Sequence, residues 1–406
     1  HSQRPLLWGS KYVTFQIIDN KQQCKNIFYK NKITNNINLN DLKNTWSYHP
    51  SLKEYDIQYA YLYSGGKNLD ECCPDYLKSS WENIKKKHLA YIKSFNVAKV
   101  RATDYCFYDL VPENFLINYF RTKSEITDHV LESYQKPNNY DFLVELSKLL
   151  YDIDQKTLNI DISEMSEELH TYKARRFKDK INKTQKNISY NLFGTVTGRL
   201  TTKKNSFPIL TMDKNYRKII KPKNDYLLEL DFNAAELRCL LALNDIEQPS
   251  EDIHDWNVKN IYDNNIDRDE AKRRVFAWLY NPESEDRLLN VFYQRNKILE
   301  KYWDGEYIVN KFGRKIKTEE RKALNFVIQS TMSDCFLRRA IAANKILEKR
   351  KSFTSALIHD SMLIDFSLED KDLIDEIVNE FGQTDLGMFK VNASIGLSFG
   401  NMKRFR

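Results

Sequence analysis

Two stretches decide the architecture: Tyr226-Leu227-Leu228-Glu229-Leu230-Asp231 and Ala356-Leu357-Ile358-His359-Asp360-Ser361-Met362-Leu363-Ile364. The first reads as a short apolar strand that ends on a carboxylate. The second reads as two apolar strands around a tight polar turn. Between them, Ala234 to Leu243 carries a helical pattern and residues 252–350 form a helix-rich amphipathic block. After them, Lys390 to Leu397 alternates as a further strand. The expected core is α+β: a small antiparallel sheet carrying two separated carboxylates, with a helical insertion between them.

Asp231 and Asp360 are 129 residues apart, yet each closes a strand whose apolar flanks would anchor it in one sheet. Two carboxylates so placed can hold a pair of Mg²⁺ ions roughly 3.5–4 Å apart, one activating a hydroxyl and one stabilising a leaving pyrophosphate. An Asp at a strand end is by itself usually a turn former, so the intervening helix matters. There Arg268, Lys272, Phe276 and Tyr280 recur every fourth residue. Each such step advances roughly 40°, which puts all four on one helical stripe. Two cations followed by two rings suit a nucleoside triphosphate.

The bulk properties fit a large polyanionic partner and exclude several other classes. The chain has 406 residues, 29% charged and 41% hydrophobic, with a net charge of +7. Fifteen Lys or Arg stand against two acids between Thr171 and Asn224, a footprint for phosphates. No apolar run reaches the roughly 20 residues of a membrane span. Neither G-x-x-x-x-G-K-[ST] nor G-x-G-x-x-G occurs, which argues against a P-loop motor or a dinucleotide enzyme. The six cysteines show no C-x-x-C spacing, so a reduced, intracellular protein is expected. The opening His1-Ser2-Gln3 carries no signal-peptide pattern.

Thr197-Gly198-Arg199-Leu200 and Leu230-Asp231-Phe232-Asn233-Ala234-Ala235-Glu236-Leu237-Arg238 resemble the start of the polymerase core and motif A of family A (DNA polymerase I-like) enzymes. The Arg268–Tyr280 series is similar to motif B, and Ile358-His359-Asp360-Ser361 to motif C. Phe312-Gly313-Arg314 and the series Arg321, Asn325, Gln329 resemble further elements, all in family order over residues 190–406. The resemblance implies a right-hand polymerase fold with an antiparallel-sheet palm, helical fingers and a shortened thumb. It implies a DNA polymerase that extends a primer with dNTPs using two Mg²⁺ ions, with Mn²⁺ as a substitute. A single-subunit RNA polymerase-like enzyme and a non-catalytic DNA-binding relative are the alternatives.

By the same resemblance Asp231 and Asp360 bind metal, and Arg268 and Lys272 bind the triphosphate, Lys272 also serving catalysis. Phe276 packs against the incoming sugar, Tyr280 lies by the nascent pair, and Glu236 is the steric gate against a ribose 2′-OH. Arg199, Arg238, Arg321, Asn325, Gln329 and His359 are expected at the primer-template, with Arg238 also a support for Glu236 or the palm. Asn233, Ala234, Ala235, Asp269, Ala277, Asn281 and Ser361 depart from the family pattern. They mark a divergent member, viral or organellar, acting in an infected host's cytoplasm or an organelle matrix.

The domain limits expected are 1–125, 126–215 for the thumb and template-primer region, 216–250 and 333–406 for the palm, and 251–332 for the fingers. Only about 35 residues separate Leu158-Asn159-Ile160-Asp161, similar to the start of a thumb, from Thr197. Residues 1–125 show β-like runs at Tyr12–Ile18 and Tyr59–Tyr63 and an amphipathic helix bearing Trp81, Ile84, His88, Leu89 and Ile92. They lack the Asp-x-Glu motif of proofreading; Asp56-Ile57-Gln58 is its nearest imitation. The region reads as a degenerate exonuclease-like domain or a dock for a replisome or processivity partner.

Overall fold

The computed structural model describes residues 13–19, 26–35, 41–101, 104–281 and 283–406. Tyr12, Cys24 and the His1-Ser2-Gln3 start lie outside them. Two compact units emerge, residues 1–144 and 145–406. The expected boundary near 125 is displaced because the helix Glu113–Ser133 runs straight through that position.

In the first unit, Val13–Thr14, Leu42–Thr45 and Gln58–Tyr59 form a parallel sheet, and Gln16–Ile17, Ile27–Tyr29 and Lys32–Thr34 an antiparallel meander. Lys30 and Asn31 both take positive φ, 47° and 60°, the handedness a two-residue hairpin needs. The helix Asp75–Val97 buries Leu77, Trp81 and Ile84 in a cluster with Phe115, Leu116, Phe120 and Val130. Leu89, expected on that apolar face, is 58% exposed, because it falls to one side of the packed stripe that runs from Trp81 and Ile84 on to Tyr91 and Phe95. Of the β-like run at Tyr59–Tyr63 only Tyr59 is in a strand; Ala60–Tyr63 is a helical turn. Cys106 is disulfide-bonded, against the all-reduced expectation. A disulfide depends on Cα atoms meeting within about 7 Å, which spacing along the chain does not show. Cys72, Cys73, Cys239 and Cys335 are free.

The second unit is built on a five-stranded antiparallel sheet. Its spatial order is Phe353–Ile358, Ser361–Phe366, Tyr226–Phe232, Val391–Gly396, Lys403–Arg404. Period-two alternation sorts the central strand: Leu228, Leu230 and Phe232 are buried, whereas Glu229 and Asp231 point to the opposite, open face. On the packed face the Phe232 ring stacks on Phe381 at 4.5 Å and meets Phe389 edge-on at 5.5 Å. Phe381 belongs to the helix Ile374–Gly382, whose inner side is Ile377, Val378 and Phe381.

Between the central strand and its hairpin partner come Ala235–Leu243, Ile253–Asn260, Arg268–Tyr280, Arg287–Tyr293, Arg295–Tyr302 and the 27-residue helix Glu320–Ile346. Trp278 is their buried pivot: its ring lies under the Arg295 guanidinium at 4.5 Å and its indole N–H donates to Asn290 at 2.6 Å. The basic run supplies the helix Tyr172–Lys183, which buries Ala174 and Ile181 and turns Arg175, Arg176, Lys180 and Lys183 to solvent. No helix among the described residues is long and apolar enough to cross a membrane.

Candidate active site

The sheet brings together what the chain separates. Asp231 lies opposite Ser361 on one side and Asn392 on the other, and Asp360 sits in the two-residue turn just before Ser361. His359, the other turn residue, takes φ 55°, a conformation that costs a non-glycine residue about 1–2 kcal/mol. The turn is fixed from the edge: the buried Tyr190 hydroxyl donates to the Leu357 carbonyl at 2.6 Å and accepts from the Leu357 N–H at 2.9 Å.

Burial and the nearby charge of Asp360 push the Asp231 carboxyl up to about 7. Two like charges held this close call for a counter-cation. Asn392 donates to Asp231 at 3.3 Å while its own buried Oδ1 has no partner. Glu229, two residues back on the same face, is raised by burial and feels Asp360 as well. The sequence reading passed over Glu229, although strand alternation from Asp231 points to it. The donors are all hard oxygens, the set that suits Mg²⁺. Among the described residues no three His, Cys, Asp or Glu side chains form a ready-made metal cluster, so these carboxylates fit an ion that draws its other ligands from substrate and water.

Beside the carboxylates opens a cavity of about 270 Å³. Arg199, Glu236, Phe276, Tyr280, His359 and Asp360 all line it, with Met332, Ser333 and Phe336 of the long helix. Glu236 is held from two sides: Arg199 Nη2 donates to one oxygen at 3.1 Å, and the Tyr280 hydroxyl donates to the other. Ala234 makes this possible by taking φ 48° where the strand turns into the helix Ala235–Leu243. Gly198 takes φ 81°, and a Cβ there would stand 2.6 Å from Arg314 Nη2. That guanidinium is itself pinned by the buried Asp334 at 2.6 and 3.0 Å, so glycine is needed for the Thr197–Arg199 turn to dock.

The stripe Arg268, Lys272, Phe276, Tyr280 faces outward from its helix, opposite the buried Ala271, Val275 and Trp278. Phe276 and Tyr280 reach the cavity and stack at 6.0 Å. Arg268 does not line it: Asp252 holds its guanidinium at 3.0 and 3.2 Å. Asp252 also accepts from Asn233 and caps Ile253–Asn260. His254, which the sequence reading did not single out, packs its ring 6.0 Å from Phe276. Its buried Nδ1 has no partner. Burial lowers its pKa, with Arg268 and Lys272 adding to the effect. The only sequence signal for it is the capping Asp252 two residues earlier.

Arg321, Asn325 and Gln329 follow one face of the long helix and stay accessible; one more step of four reaches Ser333 in the cavity. Arg238 is a correction. It is fully buried, and donates to Asn233 O, Asn233 Oδ1, Pro249 O and Glu251 O. Its donors are spent on the protein, so it supports the sheet-to-helix junction and has no reach to DNA. Asp56-Ile57-Gln58 forms no acidic pair either: Gln58 accepts from the Tyr63 hydroxyl at 2.8 Å.

The fold is that of the POL domain of a DNA polymerase. One solved structure with this fold, the POL domain of Pol1 from M. smegmatis in complex with DNA primer-template and dNTP, superposes with a TM-score of 0.56. The match covers 84% of this chain and 81% of that one, at 13% sequence identity. No family model and no curated protein matches the sequence.

Proposed function

We propose that this chain is a template-directed DNA polymerase of the family A type, extending a primer 3′-OH with dNTPs and releasing pyrophosphate. The observation that carries the proposal is the meeting of Asp231, on the central strand, with Asp360, in the turn of the neighbouring hairpin, beside a cavity lined by Glu236, Phe276 and Tyr280. In this reading residues 216–250 and 333–406 are the palm, 251–332 the fingers, and 126–215 a shortened thumb and duplex-binding region. The outward cations of Tyr172–Lys183 then meet duplex phosphates.

Mg²⁺ held by Asp231 and Asp360 would supply activation of the primer hydroxyl and charge stabilisation of the leaving pyrophosphate. Arg268 and Lys272 neutralise the triphosphate. A phosphate that engages Arg268 must share it with Asp252 or displace that carboxylate. Phe276 packs against the sugar. Glu236, fixed by Arg199 and Tyr280, occupies the space of a 2′-OH, which favours deoxynucleotides and speaks against the RNA polymerase alternative. Arg321, Asn325, Gln329 and His359 line the primer-template. Residues 1–125 serve as a degenerate exonuclease-like domain or a partner dock.

Primer extension with dNTPs or rNTPs, with and without Mg²⁺, tests the reading. Extension should need Mg²⁺ and prefer dNTPs. Asp231→Asn or Asp360→Asn should abolish it while primer-template affinity stays within about a few-fold, because binding rests on phosphate contacts elsewhere. Near-normal extension by either variant removes the assignment.

A further inference from the structure

We propose that Arg404, on the outermost strand of the sheet, is a binding residue for the backbone phosphates of the primer strand near its 3′ end; this rests on the polymerase reading above. The strand Lys403–Arg404 pairs with Val391–Gly396 so that Arg404 stands opposite Ser394, and Ser394 in turn stands opposite Glu229. Residues in register share a face. Arg404 therefore projects from the same open face as Glu229 and Asp231, two strand spacings or about 10 Å along the row.

The strand is anchored, so this placement is not that of a frayed tail. Phe405 N and Arg406 N donate to Ala393 O, and Ala393 N donates to Arg406 O at 3.1 Å. Arg406 is pinned to Asp375 and Asn379, each at 3.0 Å. Upstream, Gly400 lies so close to Lys218 that a Cβ would meet its backbone N at 2.6 Å, and the Phe399 ring lies under Arg217 at 4.6 Å. Arg406 is thus used up by structure, whereas Arg404 is exposed and among the described contacts engages only its Nε, with the Arg406 carbonyl at 2.9 Å.

Among the described residues no carboxylate pairs with Arg404, and the acids that share its face of the sheet are Glu229 and Asp231. A cation so fixed beside an acidic reaction centre has one useful partner there, a polyanion that must approach that centre. An arginine fork matches a phosphate in geometry as well as charge. The primer strand is that polyanion, since its end must reach Asp231 and Asp360 for extension.

The test is equilibrium binding of labelled primer-template to the full chain, without nucleotide and in EDTA, as a function of salt. Arg404→Ala should weaken binding about tenfold at low salt and reduce the slope of log K against log salt by about one. Arg404→Lys should keep the slope. Replacing the last three primer phosphates with uncharged methylphosphonates should weaken the wild type by at least a similar factor and weaken Arg404→Ala by about tenfold less. The same replacement in the template strand should weaken both proteins equally. Unchanged melting temperature identifies the loss as one of contact. If the wild type binds and extends while Arg404→Ala binds equally well, or loses affinity regardless of which strand is neutralised, this assignment is wrong and the polymerase reading stands. If the wild type neither binds nor extends primer-template, both fall.

Discussion

Glu236 makes two bonds in the structure, and they determine what its substitution does. Glu236→Ala removes the acceptor for both Arg199 and Tyr280, so ribonucleotide incorporation should rise while dNTP use weakens through a loosened Tyr280. Phe276 separates from this effect because it carries no hydroxyl. In family A polymerases, which this stretch resembles, a Tyr at the matching position can bond the triphosphate and replace the bond lost with the 3′-OH. Phe276→Tyr should therefore increase dideoxynucleotide use by roughly ten- to a hundred-fold, the scale of a charge-assisted hydrogen bond of about 1.5–3 kcal/mol. Ribonucleotide exclusion should not move. Unchanged dideoxy termination in gel-based extension would mean the helix Arg268–Tyr280 is not presented to the nucleotide. At this scale the sequence carried residue types well and environments poorly. Arg238 occupies a motif position, but only the fold shows that all its donors are consumed inside. Glu229 and His254 escaped notice because neither belongs to a spacing pattern; each matters through what packs beside it.

Elements were legible where a period was long and clean. The helix Arg268–Tyr280 and the hairpin around His359–Asp360 follow from alternation and from the four-residue stripe, while the bond network that joins them to neighbours does not. Tyr190 shows why. Its hydroxyl does for the edge strand Phe353–Ile358 what a missing neighbour strand would do, from 167 residues away in the chain. Tyr190→Phe should leave the Leu357 N–H and carbonyl unsatisfied and cost about 1–3 kcal/mol. Urea titration should show a lower midpoint with an unchanged slope; an unchanged midpoint would show that the edge needs no such partner. Asp252 ties the start of Ile253–Asn260 to Arg268. Burial alone would raise its carboxyl, but hydrogen bonds from Arg268 and Asn233 hold it well below the usual carboxylate range. A depressed folded-state pKa stabilises above the unfolded value, about 4, and the gain is lost as pH falls below it. Asp252→Asn should therefore melt lower than the wild type at pH 7, with the difference shrinking steadily as pH falls below about 4. A difference that persists undiminished in acid would assign the loss to something other than this carboxylate.

For the whole molecule, the polymerase-like order of motifs was readable, whereas the first unit was not, because its strands are two to four residues long and its helix face carries few apolar positions. The structure sets Thr14 against Asp128 and Gln16 against Thr127 there, so neither of these strand residues contributes a carboxylate. A labelled mismatched primer, given Mg²⁺ and no dNTPs, should keep its length; steady 3′ trimming that survives Asp231→Asn would reveal a nuclease centre. The strand order of the main sheet has a consequence for biosynthesis. Its central strand, Tyr226–Phe232, is made first, yet both flanking strands, Ser361–Phe366 and Val391–Gly396, are encoded more than a hundred residues later. At about 5–20 residues per second the ribosome leaves that strand without either neighbour for roughly 7–27 s. During that interval Leu227, Leu228 and Leu230 and two open rows of peptide groups form a hydrophobic edge available to any other nascent chain. The sheet that brings Asp231 and Asp360 together is thus completed only after residues 391–404 have been made, and its yield should depend on how fast the chain is translated.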